Sequence, residues 1–128
     1  MEKQVEYKSE EQFQSACCIW FWNTYHSERM RLFAVNNNPS TLLSGKMQQR
    51  EGAKQRGLGI VAGVSDLVFI GDGFVYFIEL KLPTGTQQDN QKEFEQVVRS
   101  LCHRYIIIRT ISEFKELIYK LLSYGSEI

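Results

Sequence analysis

Apolar residues near the start of the chain recur at helical spacing. Phe13, Ala16, Cys17, Trp20 and Phe21 fall at i, i+3, i+4, i+7 and i+8, the stripe of a helix that buries one face. Ser9 precedes the stripe and predicts its N-cap, since a serine hydroxyl accepts from an orphan N–H of the first turn. Arg31 to Val35 reads as a short strand, stopped by the turn chemistry of Asn36-Asn37-Asn38-Pro39-Ser40. Residues 45–57 are polar, basic and partly helical by pattern, ending near Gly57 and Gly59. Two continuous β-branched and aromatic runs follow, Asp66 to Ile70 and Phe74 to Lys81, of the kind seen in strands covered on both faces. Pro83 and Gly85 break the second run. Thr86 predicts the cap of a helix carrying Phe94, Val97, Val98 and Leu101. Arg104 to Arg109 returns as a strand, and Phe114, Leu117, Ile118, Leu121 and Leu122 mark a last amphipathic helix. The predicted order is α-β-α-β-β-α-β-α. Strand, helix, strand from Phe74 to Arg109 is a crossover unit, so the fold class is α/β with a mixed four-stranded sheet flanked by helices.

Composition narrows the class. A chain of 128 residues with 43% hydrophobic and 23% charged residues suits one globular domain over 1–128 and excludes a disordered tail or fibrous repeat. Fifteen basic against fifteen acidic residues leave no net charge, which excludes a protein that holds nucleic acid by bulk charge. No segment recurs with the period of a solenoid. Apolar runs such as Tyr105-Ile106-Ile107-Ile108 fall far short of the roughly 20 residues that span a bilayer, and Met1-Glu2-Lys3-Gln4 opens no signal-type segment. A soluble cytoplasmic protein without membrane contact is expected. Cys17, Cys18 and Cys102 make neither a zinc spacing nor a disulfide framework, and buried thiols in a reducing compartment are expected. His26 and His103 lack partners at metal spacing and are expected at the surface or its boundary.

The sharpest deduction comes from the hairpin. Asp72-Gly73 is a preferred pair for a two-residue type I′ turn. With that tip, Gly71 faces Phe74, Asp66 lies opposite Glu79, and Val64 lies opposite Lys81. Opposed residues share a face, so Val68, Ile70, Val75 and Phe77 lie toward the tip, with Asp66, Glu79 and Lys81 at the open end. Two carboxylates set directly across a sheet repel. A hard divalent cation such as Mg²⁺ relieves that repulsion, because it takes oxygen ligands and uses one or two carboxylates. Lys81 beside it can orient or deprotonate a water and stabilise charge developing on a phosphate. The structural alternative is a surface salt bridge between Glu79 and Lys81, with Asp66 as an edge charge.

Gly63-Val64-Ser65-Asp66-Leu67, then Ile78-Glu79-Leu80-Lys81, then Gly85 and Gln91, resemble the PD-(D/E)XK nucleases, and within them the stand-alone, virus-type VRR-NUC group. The resemblance runs from about Ser9 to Leu122, taking in Glu10 and Gln14 of the first helix, Asn37, and Ala53-Lys54 with Gly57. It implies a restriction-endonuclease-like core over about 9–122. By it Asp66 and Glu79 are metal ligands, the Leu80 carbonyl a third, and Lys81 the catalytic lysine. Glu10 completes the acidic site and Gln91 supports it. The implied cofactor is Mg²⁺ or Mn²⁺, with no organic cofactor. The implied activity is endonucleolytic hydrolysis of DNA leaving 5′-phosphate ends, by a homodimer on branched DNA such as four-way junctions, encoded by a bacterium or its virus. One position departs from the group: Ser65 stands where the family usually has proline, which bears on local rigidity more than on chemistry.

Other residues carry weaker signals. Glu10 and Glu11 also read as first-turn acids favoured by the helix dipole. Gln87 and Gln88 share a helix start with Gln91, and Asn37 reads as a phosphate contact or simply as a turn residue. Trp20, Trp22 and Tyr25 offer faces for base stacking but equally a core stripe, with Trp22 expected to be the most exposed. Residues 29–56 hold six basic residues against Glu51 alone, and Lys46, Arg50, Lys54 and Arg56 within them suit a DNA backbone. A solvated helix face is the plainer reading. Residues 57–81 hold three acids against Lys81. Two further functions fit less well: a non-catalytic nucleic-acid-binding module that keeps the nuclease fold, and a plain interaction protein with incidental hairpin charges.

Overall fold

The architecture follows from two apolar stripes and one tight hairpin. The computed structural model describes residues 6–35, 50, 53–54 and 56–124. Helix α1 (Glu10–Thr24) opens at Ser9, whose hydroxyl accepts from the Gln12 amide at 3.1 Å, as the capping argument requires. Its stripe buries Phe13, Cys17, Cys18 and Phe21. A 3₁₀ turn at His26–Arg31, which periodicity did not signal, takes up the start of the expected first strand, so β1 is only Leu32–Ala34. Residues 50, 53, 54, 56 and 57 are helical, matching part of the basic helix. Strands β2 (Leu67–Ile70) and β3 (Val75–Leu80) form the hairpin. Helix α2 (Asp89–Ser100) crosses over to β4 (Arg104–Ile108), and α3 (Ile111–Tyr124) completes the described chain.

The sheet runs β1-β2-β3-β4, antiparallel except for the parallel β3–β4 pair. Leu67 pairs with Ile78, Val68 with Phe77 and Ile70 with Val75, the expected register. The turn itself differs from type I′. Gly73 alone has positive φ, at 94°, so the glycine takes the left-handed position and Asp72, which has a Cβ, avoids its steric cost. The register survives because it depends on loop length. Arg31 braces this tip, donating to the Ile70 carbonyl at 2.8 Å and lying 3.6 Å from the Asp72 carboxylate.

One face of the sheet packs on α1 and α3. Leu32, Leu67, Phe69, Ile78, Leu80 and Ile108 are buried there with Phe13, Phe21, Phe114 and Ile118, and Phe21 meets Phe69 edge-on at 6.0 Å. The other face takes α2, with Phe77 edge-on to Phe94 at 5.3 Å. Coverage of both strand faces is incomplete, since Ile70 near the tip is exposed. In α2 only Val98 is fully buried; Val97 and Leu101 point to solvent, because a short helix resting on a twisted sheet buries a narrow stripe. Cys102 is likewise exposed, correcting the expectation of buried thiols, whereas Cys17 and Cys18 are buried. It occupies the αL turn between α2 and β4 (φ 65°), a connection that runs over the surface. Both histidines are exposed. Among the described residues no helix is long and apolar enough to cross a membrane.

Candidate metal centre

The open end of the hairpin gathers the charges. Asp66 precedes β2 and Glu79 is the penultimate residue of β3, so the pairing of Leu67 with Ile78 puts them next in line across the sheet. One carboxylate oxygen from each of Glu10, Asp66 and Glu79 lies within 4.8 Å of the others. Glu10 joins from the first turn of α1, where a carboxylate is also favoured by the helix dipole. Asp66 is held by its Oδ2, which accepts from the Leu80 amide at 2.7 Å. Lys81 follows β3; its amide donates to the Ile108 carbonyl at 3.0 Å. Its Nζ stands 3.8 Å from Glu10 and 3.9 Å from Glu79.

Burial decides between a surface ion pair and a built site. Glu79 is 0% and Lys81 5% exposed, so the strand-end surface salt bridge is excluded. Both Glu79 oxygens are claimed. Gln91 Nε2 donates to Oε1 at 3.1 Å, and the Tyr105 hydroxyl donates to Oε2 at 3.4 Å. Gln91 is itself oriented, because its Oε1 accepts from the Gln88 amide at 2.8 Å. That bond also explains why α2 starts after Gln88 rather than at Thr86, since it satisfies an orphan donor at the helix end. Burial pushes the Glu79 carboxyl up to about 9, with Asp66 adding to the rise by its charge and a shared hydrogen bond; Lys81 opposes it and Glu10 adds to it. Oxygen-only donors with surplus negative charge fit a hard divalent cation, and the candidate ligands are Glu10, Asp66 and Glu79.

A cavity of about 480 Å³ opens onto the cluster, lined by Glu10, Glu11, Gln14, Asp66, Lys81, Gln88 and Gln91. Its walls are the first turns of α1 and α2 and the hairpin end. Glu11, Gln14 and Gln88 therefore face the site more closely than their sequence positions suggested. Ser65 is fully buried, and its hydroxyl donates to the Leu67 carbonyl at 3.1 Å, a local tie in the segment that carries Asp66. Arg109 clamps the loop after Lys81, donating to the carbonyls of Leu82 at 3.0 Å and Gly85 at 2.6 Å. Arg50, Lys54 and Arg56 are exposed and line none of this cavity; Asn37 and Lys46 lie outside the described residues. Trp20, Trp22 and Tyr25 pack against the core and are half-buried.

Sequence reasoning missed the support behind Glu79. Gln87, Glu95, Arg99 and Tyr105 form it, and only a polar-tipped Tyr105 within an apolar strand hinted at it. Gly63, quoted above only as part of the motif, is buried at φ 91° against the Asn90 carbonyl of α2, where a Cβ has no room. Gly63→Ala is expected to cost about 2 kcal/mol or more of stability from strained backbone and forced displacement. It should also separate the segment carrying Asp66 from the helix carrying Gln91. Gly57→Ala, with open space around its Cβ position, is the control; denaturant unfolding of both checks the contrast.

A mixed sheet with an acidic pair and a lysine at the open hairpin end, backed by a crossover helix, is a restriction-endonuclease-like α/β arrangement. No family model and no curated protein matches the sequence. A solved structure described as a VRR_NUC domain protein aligns with a TM-score of 0.74 at 16% identity, covering 94% of this chain and 93% of that one. The chain therefore has the VRR-NUC fold.

Proposed function

We propose that this chain is a metal-dependent endonuclease that hydrolyses DNA phosphodiester bonds with Mg²⁺ or Mn²⁺. It acts as a homodimer on branched DNA such as four-way junctions, with one nuclease domain over 1–128. The observation that carries the reading is the convergence of three carboxylate oxygens within 4.8 Å beside a lysine that is 5% exposed. Crowding the exposed Glu10 and half-buried Asp66 carboxylates against the buried Glu79 is costly for the charged forms unless a cation joins them. When bound, the cation supplies Lewis acidity to a water and to the scissile phosphate. Asp66, Glu79 and Glu10 hold it, with the Leu80 carbonyl as a further donor. Gln91 fixes Glu79 Oε1, and Lys81 Nζ meets negative charge as it develops on the phosphate. Lys46, Arg50, Lys54 and Arg56 give the DNA backbone its positive partners, and Asn37 a neutral phosphate contact. The neutral total charge leaves affinity to this local patch, so cleavage should be salt-sensitive. Cytoplasmic action in a bacterium, on host or viral DNA, fits this chemistry.

The test incubates the protein with four-way, flap, linear duplex and single-stranded DNA in Mg²⁺, Mn²⁺ or EDTA. Metal-dependent nicking that favours the branched substrates, with 5′-phosphate ends, is expected, and light scattering should report a dimer. Salt-sensitive binding with no metal-stimulated cleavage of any substrate would instead identify a binding module that keeps the fold.

A further inference from the structure

We infer that Tyr105 is a positioning residue for the candidate metal centre, held by Gln87, Glu95 and Arg99 so that its hydroxyl fixes the buried Glu79 carboxylate. The inference rests on the metal-site reading of Glu79 and adds residues outside the acidic cluster. Tyr105 is 4% exposed, on the sheet face that α2 covers. Its hydroxyl lies 3.4 Å from Glu79 Oε2 and 3.1 Å from Gln87 Nε2.

Donor counting sets the direction of this chain of bonds. The Gln87 amide nitrogen has two hydrogens, one directed to Glu95 Oε1 at 3.0 Å and the other to the Tyr105 oxygen. An amide NH₂ only donates, so the phenol oxygen accepts from Gln87 and its own proton turns to Glu79. Gln87 is kept from flipping by Glu95, because its carbonyl end would face a carboxylate. Glu95 is gripped in turn by Arg99, whose Nε donates to Oε2 at 2.8 Å. A second Arg99 nitrogen donates to the Tyr105 carbonyl at 3.0 Å, closing a ring of bonds around the tyrosine. Arg99 and Gln87 both donate to Glu95, and from Gln87 the donors run one way, through the Tyr105 hydroxyl to the carboxylate at the strand end. With Gln91 on Oε1 and Tyr105 on Oε2, Glu79 cannot rotate about its last torsion without losing a bond. A ligand oxygen is thus aimed before an ion arrives, the role that supporting partners play at metal sites.

Calorimetric titration of Mn²⁺ into the full chain tests this, with wild type, Tyr105→Phe, Gln87→Ala and the double variant. Tyr105→Phe keeps the ring that packs on Phe94 and removes only the hydroxyl. It is expected to bind Mn²⁺ about tenfold more weakly with an unchanged melting temperature in the absence of metal. Gln87→Ala should weaken binding in wild type yet have no effect in the Tyr105→Phe background, because Gln87 acts through the hydroxyl. A merely structural role would lower the melting temperature and leave the two losses additive. Mn²⁺ affinity equal to wild type in Tyr105→Phe, or additive losses, overturns the inference, as does a wild type that binds no Mn²⁺. A wild type that binds Mn²⁺ and shows the Tyr105 effect but cuts no DNA upholds the inference and sinks the nuclease reading. A wild type that cuts DNA while Tyr105→Phe binds Mn²⁺ normally does the reverse.

Discussion

Lys81→Ala is expected to reduce metal-dependent DNA cleavage by about 10²–10³-fold, the usual loss when a group stabilising developing charge is removed, while the protein stays folded. Removing a lysine from beside a buried carboxylate normally leaves an uncompensated charge. Here Glu79 has an alternative, because its carboxyl already holds a proton readily, and loss of the ammonium strengthens that hold. Folding should therefore survive. Metal affinity should not fall at high pH, since the cluster loses its only adjacent cation among the described residues. Activity lost with Mn²⁺ binding kept is the signature of a group that acts on the substrate rather than on the ion. Cleavage by Lys81→Ala that tracks wild type across a metal titration would remove Lys81 from the chemistry. Gel-based single-turnover assays and calorimetry on one preparation give both readings.

The second large effect is a pH dependence carried by Glu79. Its carboxyl is raised to about 9 in the folded protein, chiefly by burial, from an ordinary value of 4.5. Between those values the folded state keeps a proton that the unfolded state has lost. Stability of the metal-free protein is therefore highest at the acid end of that window, as far as this group goes, and is lost as pH rises through the folded value. The cation acts in the opposite sense. It needs the carboxylate, so it displaces the proton, and affinity should rise ~10-fold per pH unit where one proton is released. Mn²⁺ should then raise the melting temperature little at pH 6 and much more at pH 8.5. Glu79→Gln, which imitates the protonated form, should be more stable than wild type without metal at pH 8.5 and bind no Mn²⁺. An affinity that is flat between pH 6 and 8.5 contradicts the account. Melting curves and titrations in buffers of different ionisation enthalpy measure it.

Both effects trace to residues that a local pattern could place. The two-residue gap at Asp72-Gly73 determined the hairpin register whatever the turn type, which is why Asp66 and Glu79 were legible as neighbours although the I′ conformation was not adopted. The stripes from Phe13 to Phe21 and from Phe114 to Leu121 likewise marked helices that now cover one sheet face. The start of α2 was displaced by two residues because its cap is made by Gln91 reaching back to Gln88, a side-chain choice that also serves Glu79. The 3₁₀ turn at His26–Arg31 left no periodic trace, since six residues complete too few turns to show one.

By itself the sequence determined the elements, the hairpin register and the pairing of two acids with a lysine, because these depend on spacings of a few residues and on the period of a strand. Tertiary structure alone decided that Glu79 and Lys81 are buried, and that Gln87, Glu95, Arg99 and Tyr105 stand behind the site; it also brings Glu10, which only the resemblance placed there, from α1 across more than fifty intervening residues. Those facts turn on how two helix starts pack against one end of the sheet. Packing of that kind sums many weak contacts between distant segments, and no local spacing records it.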